Sequence, residues 1–213
     1  MIPIVYADAS ILVCSKPAGL LAQVDSAGGI SMVSCLEEQT GSQKGIFPVH
    51  RLDKGVGGLM VYALTKQAAA DLSEQIRSGV FHKTYYAAVS GHPEPPAGEM
   101  TDLLYKDART QKAFVVSRER RGVRRAALRY ETVKTLEDTA LVRVELLTGR
   151  FHQIRVQFAS RKMPIVNDRR YGGRGTGEIL LFSCGLSFAH PVTGECMRFT
   201  ALPTEEGWAP YFT

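Results

Sequence analysis

Apolar residues in this 213-residue chain recur in short, β-prone runs separated by turn residues, and this pattern restricts the fold more than any other feature. Ile4 to Tyr6 and Ile11 to Ser15 flank Asp8-Ala9-Ser10, and Lys16-Pro17-Ala18-Gly19 ends the second run. Leu59 to Leu64, Lys83 to Ser90, Arg129 to Thr135, Ala140 to Leu147, Ile179 to Phe188 and Met197 to Thr200 continue the series. Glu137-Asp138 and Pro191-Val192-Thr193-Gly194 supply turns between successive runs. Helical periodicity is confined to fewer segments. Ile30 to Glu38 is one; a second runs from Lys66 to Ser78, with Thr65 as N-cap, Ala69, Leu72 and Ile76 on one face, and Gly79 at its end. A third is expected to begin near Arg150 behind a Thr148 cap, with Phe151, Ile154 and Phe158 inward. Gly41 to Gly45 reads as a flexible link, and the stretch from the Pro93–Gly98 loop to Arg124 as irregular and basic. Strands outnumber helices and no βαβ alternation dominates. The expected fold is α+β: a single domain over residues 1–213, with a central, mostly antiparallel or mixed sheet flanked by helices and loops. The loop at Pro93, Pro95 and Pro96 is the one candidate boundary. It reads as an excursion, because the strands on either side would otherwise lack partners.

The same runs limit where the chain works. The longest, such as Ile11 to Cys14 and Leu141 to Val144, are strand-sized, and Asp8 and Lys16 interrupt the apolar N-terminus. Neither a membrane-spanning helix nor a secretory leader is expected, which points to a cytoplasmic protein with no membrane partner. The cysteines at 14, 35, 184 and 196 lack Cys-x-x-Cys spacing and a nearby His pair, so they read as buried free thiols on strands rather than as a zinc site or a disulfide framework. The net charge is +5. Its distribution is more informative than its size: Arg118, Arg120, Arg121, Arg124, Arg125 and Arg129 form one cluster, and Arg161, Lys162, Arg169, Arg170 and Arg174 another. Guanidinium groups in clusters suit a phosphate backbone, although a solvated basic loop would look the same.

Two segments could carry chemistry. Asp53, in His50-Arg51-Leu52-Asp53, precedes Gly55, Gly57 and Gly58, which permit tight turns and close approach of a ligand. Taken alone, it reads as a turn aspartate before glycine. In Thr148-Gly149-Arg150-Phe151-His152-Gln153-Ile154-Arg155, a helix start rich in donors offers an anion site, or simply a capped helix with surface arginines. His50, His152 and His190 each lie beside backbone that an imidazole could bond, and structural roles are expected for them.

Together the segments say more. His-Arg-Leu-Asp followed by Gly58-Leu-x-Val-x-Ala63; Lys83-x-Tyr85-x-Ala87-x-Val89-x-Gly91; Thr148-Gly-Arg-x-His-Gln-Ile-Arg-Val156; Pro164-Ile-Val-x-Asp168-x-x-Tyr171-Gly172; and Leu186-x-Phe188-x-His190-Pro191-x-Thr193-Gly194 occur in this order. This arrangement resembles the RluA-type pseudouridine synthases, from about Ile4 to Pro203. The resemblance implies that Asp53 is the catalytic aspartate. It implies that Tyr85 stacks on the target base and is involved in proton removal, and that Arg155 is the basic residue pairing with the aspartate. Leu181 falls on an apolar residue lining the uracil pocket, and Arg51 on an arginine that can occupy the space the base leaves. The chain departs from the family where Val56-Gly57-Gly58 replaces the usual Thr-Ser-Gly, which suggests a more flexible turn, and where Phe182-Ser183 replaces His-Ala. It begins directly with catalytic-domain sequence, so a catalytic domain without a preceding domain of the S4 type is expected.

The implied activity is isomerisation of uridine in ribosomal or transfer RNA, by a protein expected to act as a monomer. No atoms are gained and no electrons leave, so no metal or other cofactor is expected. A carboxylate could attack the ribose anomeric carbon, add to the uracil ring or remove a ribose proton. Two rivals remain at this stage. A non-catalytic RNA-binding module would keep the arginine clusters and have no need of Asp53. A carboxylate-based hydrolase would need a second acid; Asp168 is the candidate, but Ile165-Val166-Asn167-Asp168 looks like turn structure.

Overall fold

The computed structural model describes residues 1–24, 28–41 and 45–212. The expected flexible link at 41–45 therefore lies, apart from its two glycines, outside the described residues. In chain order the elements are β1 (Ile4–Ala7), β2 (Ile11–Lys16), α1 (Met32–Thr40), β3 (Phe47–Pro48), β4 (Gly57–Ala63), α2 (Lys66–Ser78), β5 (His82–Ser90), β6 (Ala97–Asp107), β7 (Lys112–Val116), β8 (Val123–Thr135), β9 (Thr139–Leu146), α3 (Gln153–Ser160), β10 (Leu181–Ala189), β11 (Cys196–Thr200) and α4 (Ala209–Phe212), with short 3-10 turns at Arg169–Tyr171 and Glu206–Trp208. This is the expected α+β content, dominated by strands.

The chain forms two compact units. The first comprises Met1–Lys83 and Phe182–Pro203, the second Thr84–Leu181 and Thr204–Thr213. In the first unit β1, β2 and β4 pair antiparallel, β4 pairs parallel with β10 (Phe182 opposite Gly57), and β10 pairs antiparallel with β11. Every residue of β4 is buried, as befits a strand with neighbours on both edges and packing on both faces. Ile11, Val13, Leu59, Val61 and Ala63 meet Ala68 and Leu72 of α2 and Phe81, Leu186 and Phe188 in one core. The caps of α2 are as expected: the Thr65 side chain accepts the Ala68 N–H, and Gly79 takes the left-handed conformation at φ 79°. In α1 the Ser31 side chain and the Ser34 side chain form a reciprocal capping box.

The second unit is an antiparallel ladder in the order β5, β9, β8, β6, β7. Leu104, Ala113, Ala126 and Val156 form a small core between this ladder and α3. Two expectations fail here. The stretch from residue 97 to 124 is not irregular: it forms β6, β7 and the start of β8. These strands carry charged and small residues, and pairing between positions distant in the chain, such as Ala97 with Glu131, defines them. Thr148 does not cap α3. The helix begins three residues later than expected, behind His152 in a left-handed conformation, and the Thr148 hydroxyl donates to the Gln153 side chain.

The cysteines are also less uniform than expected. Cys14 and Cys184 are buried on strands, but Cys35 lies on α1 and Cys196 is exposed. Burial pushes the Cys14 thiol up to about 12, so it is inert at neutral pH.

Candidate active site

Asp53 occupies a half-buried turn between β3 and β4, and two anchors fix the backbone around it. Upstream, the His50 Nε2 accepts the Val61 N–H of β4 at 3.1 Å. That bond places the ring proton on Nδ1, and burial, reinforced by the nearby Lys83 cation, lowers the imidazole to about 3. His50 is therefore a neutral structural acceptor at physiological pH, in keeping with its expected role. Leu52 is buried between His50 and Asp53. The turn closes with the Val56 N–H donating to the Asp53 carbonyl at 3.0 Å.

Downstream, the anchor is a residue that sequence reasoning passed over. Lys16 ends β2 and is only 1% exposed. Its ammonium donates to the carbonyls of Pro17 (2.9 Å), Leu20 (2.7 Å) and Lys54 (3.1 Å). The Lys54 carbonyl also accepts the Gly19 N–H at 2.8 Å. The residue directly after Asp53 is thus tied to the loop that follows β2. A buried lysine keeps its charge only where dipoles replace water, and these carbonyls supply them. The available signal was Lys16-Pro17-x-Gly19, read only as the end of a strand.

The glycines after Asp53 also differ from expectation. Gly57 and Gly58 do not make a looser turn; they begin β4 and pair with β10. Gly58, at φ 113°, lies so close to β10 that a Cβ would fall within 2.6 Å of the Ser183 backbone nitrogen and closer still to its carbonyl oxygen. Arg51 is exposed in the same segment.

Tyr85, Arg155 and Leu181 belong to the second unit. Tyr85 is buried on β5, opposite Val144 of β9. Leu181 is buried at the start of β10. Arg155 lies in α3, and Asp168 holds it in a bidentate pair: Nε to Oδ2 and Nη2 to Oδ1, both 2.8 Å. The guanidinium carbon lies 5.2 Å from the centre of the Tyr171 ring. Asp168, expected as a turn residue and considered as a possible second acid, is therefore also a buried ion-pair partner. His152 bonds the Tyr171 hydroxyl at 2.9 Å, and the His190 Nε2 lies 2.8 Å from Asp8 Oδ2, so both have the structural roles expected of them.

The donors expected at the start of α3 are partly consumed within the protein. The Arg150 N–H donates to the Gln153 side-chain oxygen at 3.0 Å, and the Gln153 amide donates to the Ala127 carbonyl at 3.0 Å. The two arginine clusters also divide. Arg118, Arg120 and Arg121 are exposed on the turn between β7 and β8, Arg120 lying 4.6 Å from the Tyr105 ring centre. Arg129 is paired with Glu99 at 3.5 Å. In the second cluster Arg161 pairs with Asp102 at 2.8 Å, while Arg169 and Arg170 donate to backbone carbonyls. The turn at 118–121 is thus the better candidate for contact with a polyanion.

Residues 10–160 match the family model described as RNA pseudouridylate synthase. The chain belongs to that family. It is 32% identical over 215 aligned positions to the ribosomal large subunit pseudouridine synthase C of Escherichia coli K12, covering 96% of this chain and 67% of the relative. It is 30% identical over 205 positions to an uncharacterized RNA pseudouridine synthase of Mycobacterium bovis, covering 90% and 66%. The chain thus spans about two thirds of the length of these curated relatives. Among solved structures it resembles human RNA pseudouridylate synthase domain containing 4, with a TM-score of 0.80 at 22% identity over 95% of this chain and 89% of that one. Human RNA pseudouridylate synthase domain containing 1 gives 0.81 at 20% identity, over 95% and 84%. The structural likeness extends the shared fold beyond the matched segment. Among the described residues no helix is long and apolar enough to cross a membrane.

Proposed function

We propose that this protein converts uridine in RNA to pseudouridine, with Asp53 as the catalytic carboxylate. The observation that carries the reading is family membership over a segment that contains the His50–Asp53 motif. The anchored backbone on both sides of Asp53 supports it, because a catalytic carboxylate must be held in a fixed attitude. Ribosomal RNA is the favoured substrate class, since a curated relative carries a large-subunit name; transfer RNA is the alternative.

In this reading Asp53 attacks the ribose anomeric carbon or stabilises charge there, or instead engages the uracil ring. The base turns, a carbon–carbon bond forms, and Tyr85 or Asp53 takes the proton from carbon 5. Extruding the base from its stack costs about a few kcal/mol. Tyr85 and Leu181 recover part of that by stacking and burial, Arg155 binds substrate or orients the reacting groups, and Arg51 fills the space the base leaves. The reaction transfers no electrons and adds no atoms, so it requires no cofactor. Residues 1–213 then serve as one catalytic domain, acting as a monomer in the cytoplasm.

The test uses unmodified total RNA, wild-type protein and Asp53→Asn, with pseudouridine mapped by carbodiimide labelling and reverse-transcription stops. New stops are expected with the wild type alone. A folded Asp53→Asn protein that produces the same stops at the same rate overturns the assignment. RNA binding without stops from either protein favours the binding-module reading.

A further inference from the structure

We infer that the face of the β6–β7–β8 ladder turned away from α3 binds unpaired nucleotides by stacking, with Phe114 and the Tyr105–Arg120 pair as its platform. The inference deepens the reading given under Proposed function and rests on it for RNA as the ligand. The register gathers these side chains. Tyr105 of β6 lies opposite Phe114 of β7, and Leu103 lies opposite both Val116 of β7 and Arg125 of β8. Directly opposed residues of antiparallel strands point to one face, and alternate residues of a strand share it. Leu103, Tyr105, Phe114, Val116 and Arg125 therefore form one surface. Leu104, Ala113 and Ala126 point the other way, into the core with Val156 of α3.

The turn between β7 and β8 shapes one end of this surface. It closes with the Val123 N–H donating to the Arg120 carbonyl at 3.0 Å. Gly122, at φ 86°, lies beside Tyr105, and a Cβ there would be 3.5 Å from the ring. The turn thereby sets the Arg120 guanidinium carbon 4.6 Å from the Tyr105 ring centre. A planar guanidinium lying on a ring presents its own outer face to a further planar group. Across the strand pair, Phe114 is 41% exposed. The far end of the same face is treated differently. Tyr86 of β5 belongs to it through Arg143 and Glu131, and Phe212 of the chain itself covers that ring, 5.2 Å away between centres.

Charge selects the ligand. Arg118, Arg120, Arg121 and Arg125 are exposed at the Phe114 end, with Glu119 as the acid among them. The Asp107 carboxylate of the neighbouring hairpin accepts the Arg109 N–H (2.9 Å) and the Thr110 hydroxyl (2.8 Å). Further along the face, Arg129 lies between Glu99 (3.5 Å) and Glu145 (4.0 Å). Positive charge is thus concentrated where the rings are open. Cations alone would suit any polyanion, and rings alone an apolar protein surface. Interleaved, they suit a polyanion that also offers planar faces. A duplex offers phosphates but keeps its bases stacked on one another, whereas unpaired nucleotides offer both.

Fluorescence anisotropy with a short labelled oligouridine, a blunt RNA duplex of equal charge and a polyglutamate peptide tests this, with thermal midpoints recorded for each variant. Phe114→Ala is expected to weaken oligouridine binding about fivefold or more, the loss of one stacked base, and to leave the salt dependence of affinity unchanged because no phosphate contact goes. Its duplex affinity should change by no more than about twofold. Arg120→Ala should weaken oligouridine binding and also lower the salt dependence. Phe114→Trp, which keeps a ring, should bind as wild type does. Oligouridine affinity unchanged by either Ala substitution, an equal loss for strand and duplex, or wild type that does not bind the strand overturns the inference. Polyglutamate bound as tightly as oligouridine overturns it too, by marking a surface for an acidic protein. Should Phe114→Ala fail to fold, Phe114→Leu keeps the apolar bulk without the ring and carries the same expectation and the same refutation. Pseudouridine formation is followed separately. Active wild type with an adverse binding result sinks this inference alone, whereas inactive wild type with the expected binding losses sinks the catalytic assignment and leaves the platform standing.

Discussion

Replacing Lys16 by Met tests whether the buried ammonium holds the Asp53 turn. The side chains are similar in length, so the change removes the donors and charge while leaving most of the volume. Three carbonyls lose a bond: Pro17, Leu20 and Lys54. The Lys54 carbonyl keeps the Gly19 N–H, so two lose the contact: that of the half-buried Leu20 and that of the exposed Pro17. At about 1–3 kcal/mol for a buried polar group left unsatisfied, and at most about 1 kcal/mol for the carbonyl of the exposed Pro17, the loss is about 1–4 kcal/mol, offset in part because no charge need now be desolvated. We expect urea unfolding to show Lys16→Met destabilised by about 2 kcal/mol, with an unchanged m-value. The residue after Asp53 is released at the same time, so single-turnover pseudouridine formation should fall about tenfold or more even under conditions where the variant is fully folded. A variant as stable as wild type, or destabilised but with a normal rate, would refute the claim that this ammonium organises the turn.

Other outcomes follow from the same structure. His50 is held neutral, with its imidazole lowered to about 3 against an unfolded value near 6.5, so the unfolded chain binds the extra proton first. The contribution of this group is fully present above about pH 6.5 and is lost as pH falls toward 3, at most about 1.4 kcal/mol per pH unit. His50→Gln, which keeps an acceptor for the Val61 N–H, should flatten the decline in urea midpoint between pH 6.5 and 4.5; an unchanged slope would assign the decline to other groups. Gly58→Ala should cost at least about 2 kcal/mol, because its Cβ meets the Ser183 backbone at a position with φ 113°, and a thermal midpoint equal to wild type would contradict the close approach. Replacing Arg118, Arg120 and Arg121 by Ala should weaken RNA binding and reduce the salt dependence by about one unit of slope per lost phosphate contact. Equal affinity and slope in a filter-binding titration would remove this turn from the RNA surface.

The sequence by itself determined whatever depends on local pattern. The α+β class, the Thr65 and Gly79 caps, the β1–β2 turn and most strand positions could be read from periodicity and turn residues, because those signals act over a few neighbouring positions. The ordered motifs likewise mark the family, because each is a run of neighbouring residues. Only the tertiary structure decided what depends on groups distant in the chain. The strands β6 and β7 exist through pairing rather than through their own propensity. Gly58 is required by the approach of a strand more than a hundred residues away, which no local pattern records. Asp53 looked like a turn aspartate and does occupy a turn, but Lys16 and His50 are what make that turn rigid. Asp168 also reads as a turn residue in one dimension. Its carboxylate acquires a purpose only when α3 brings Arg155 to it, because hydrogen bonding and desolvation depend on distance in space and not along the chain.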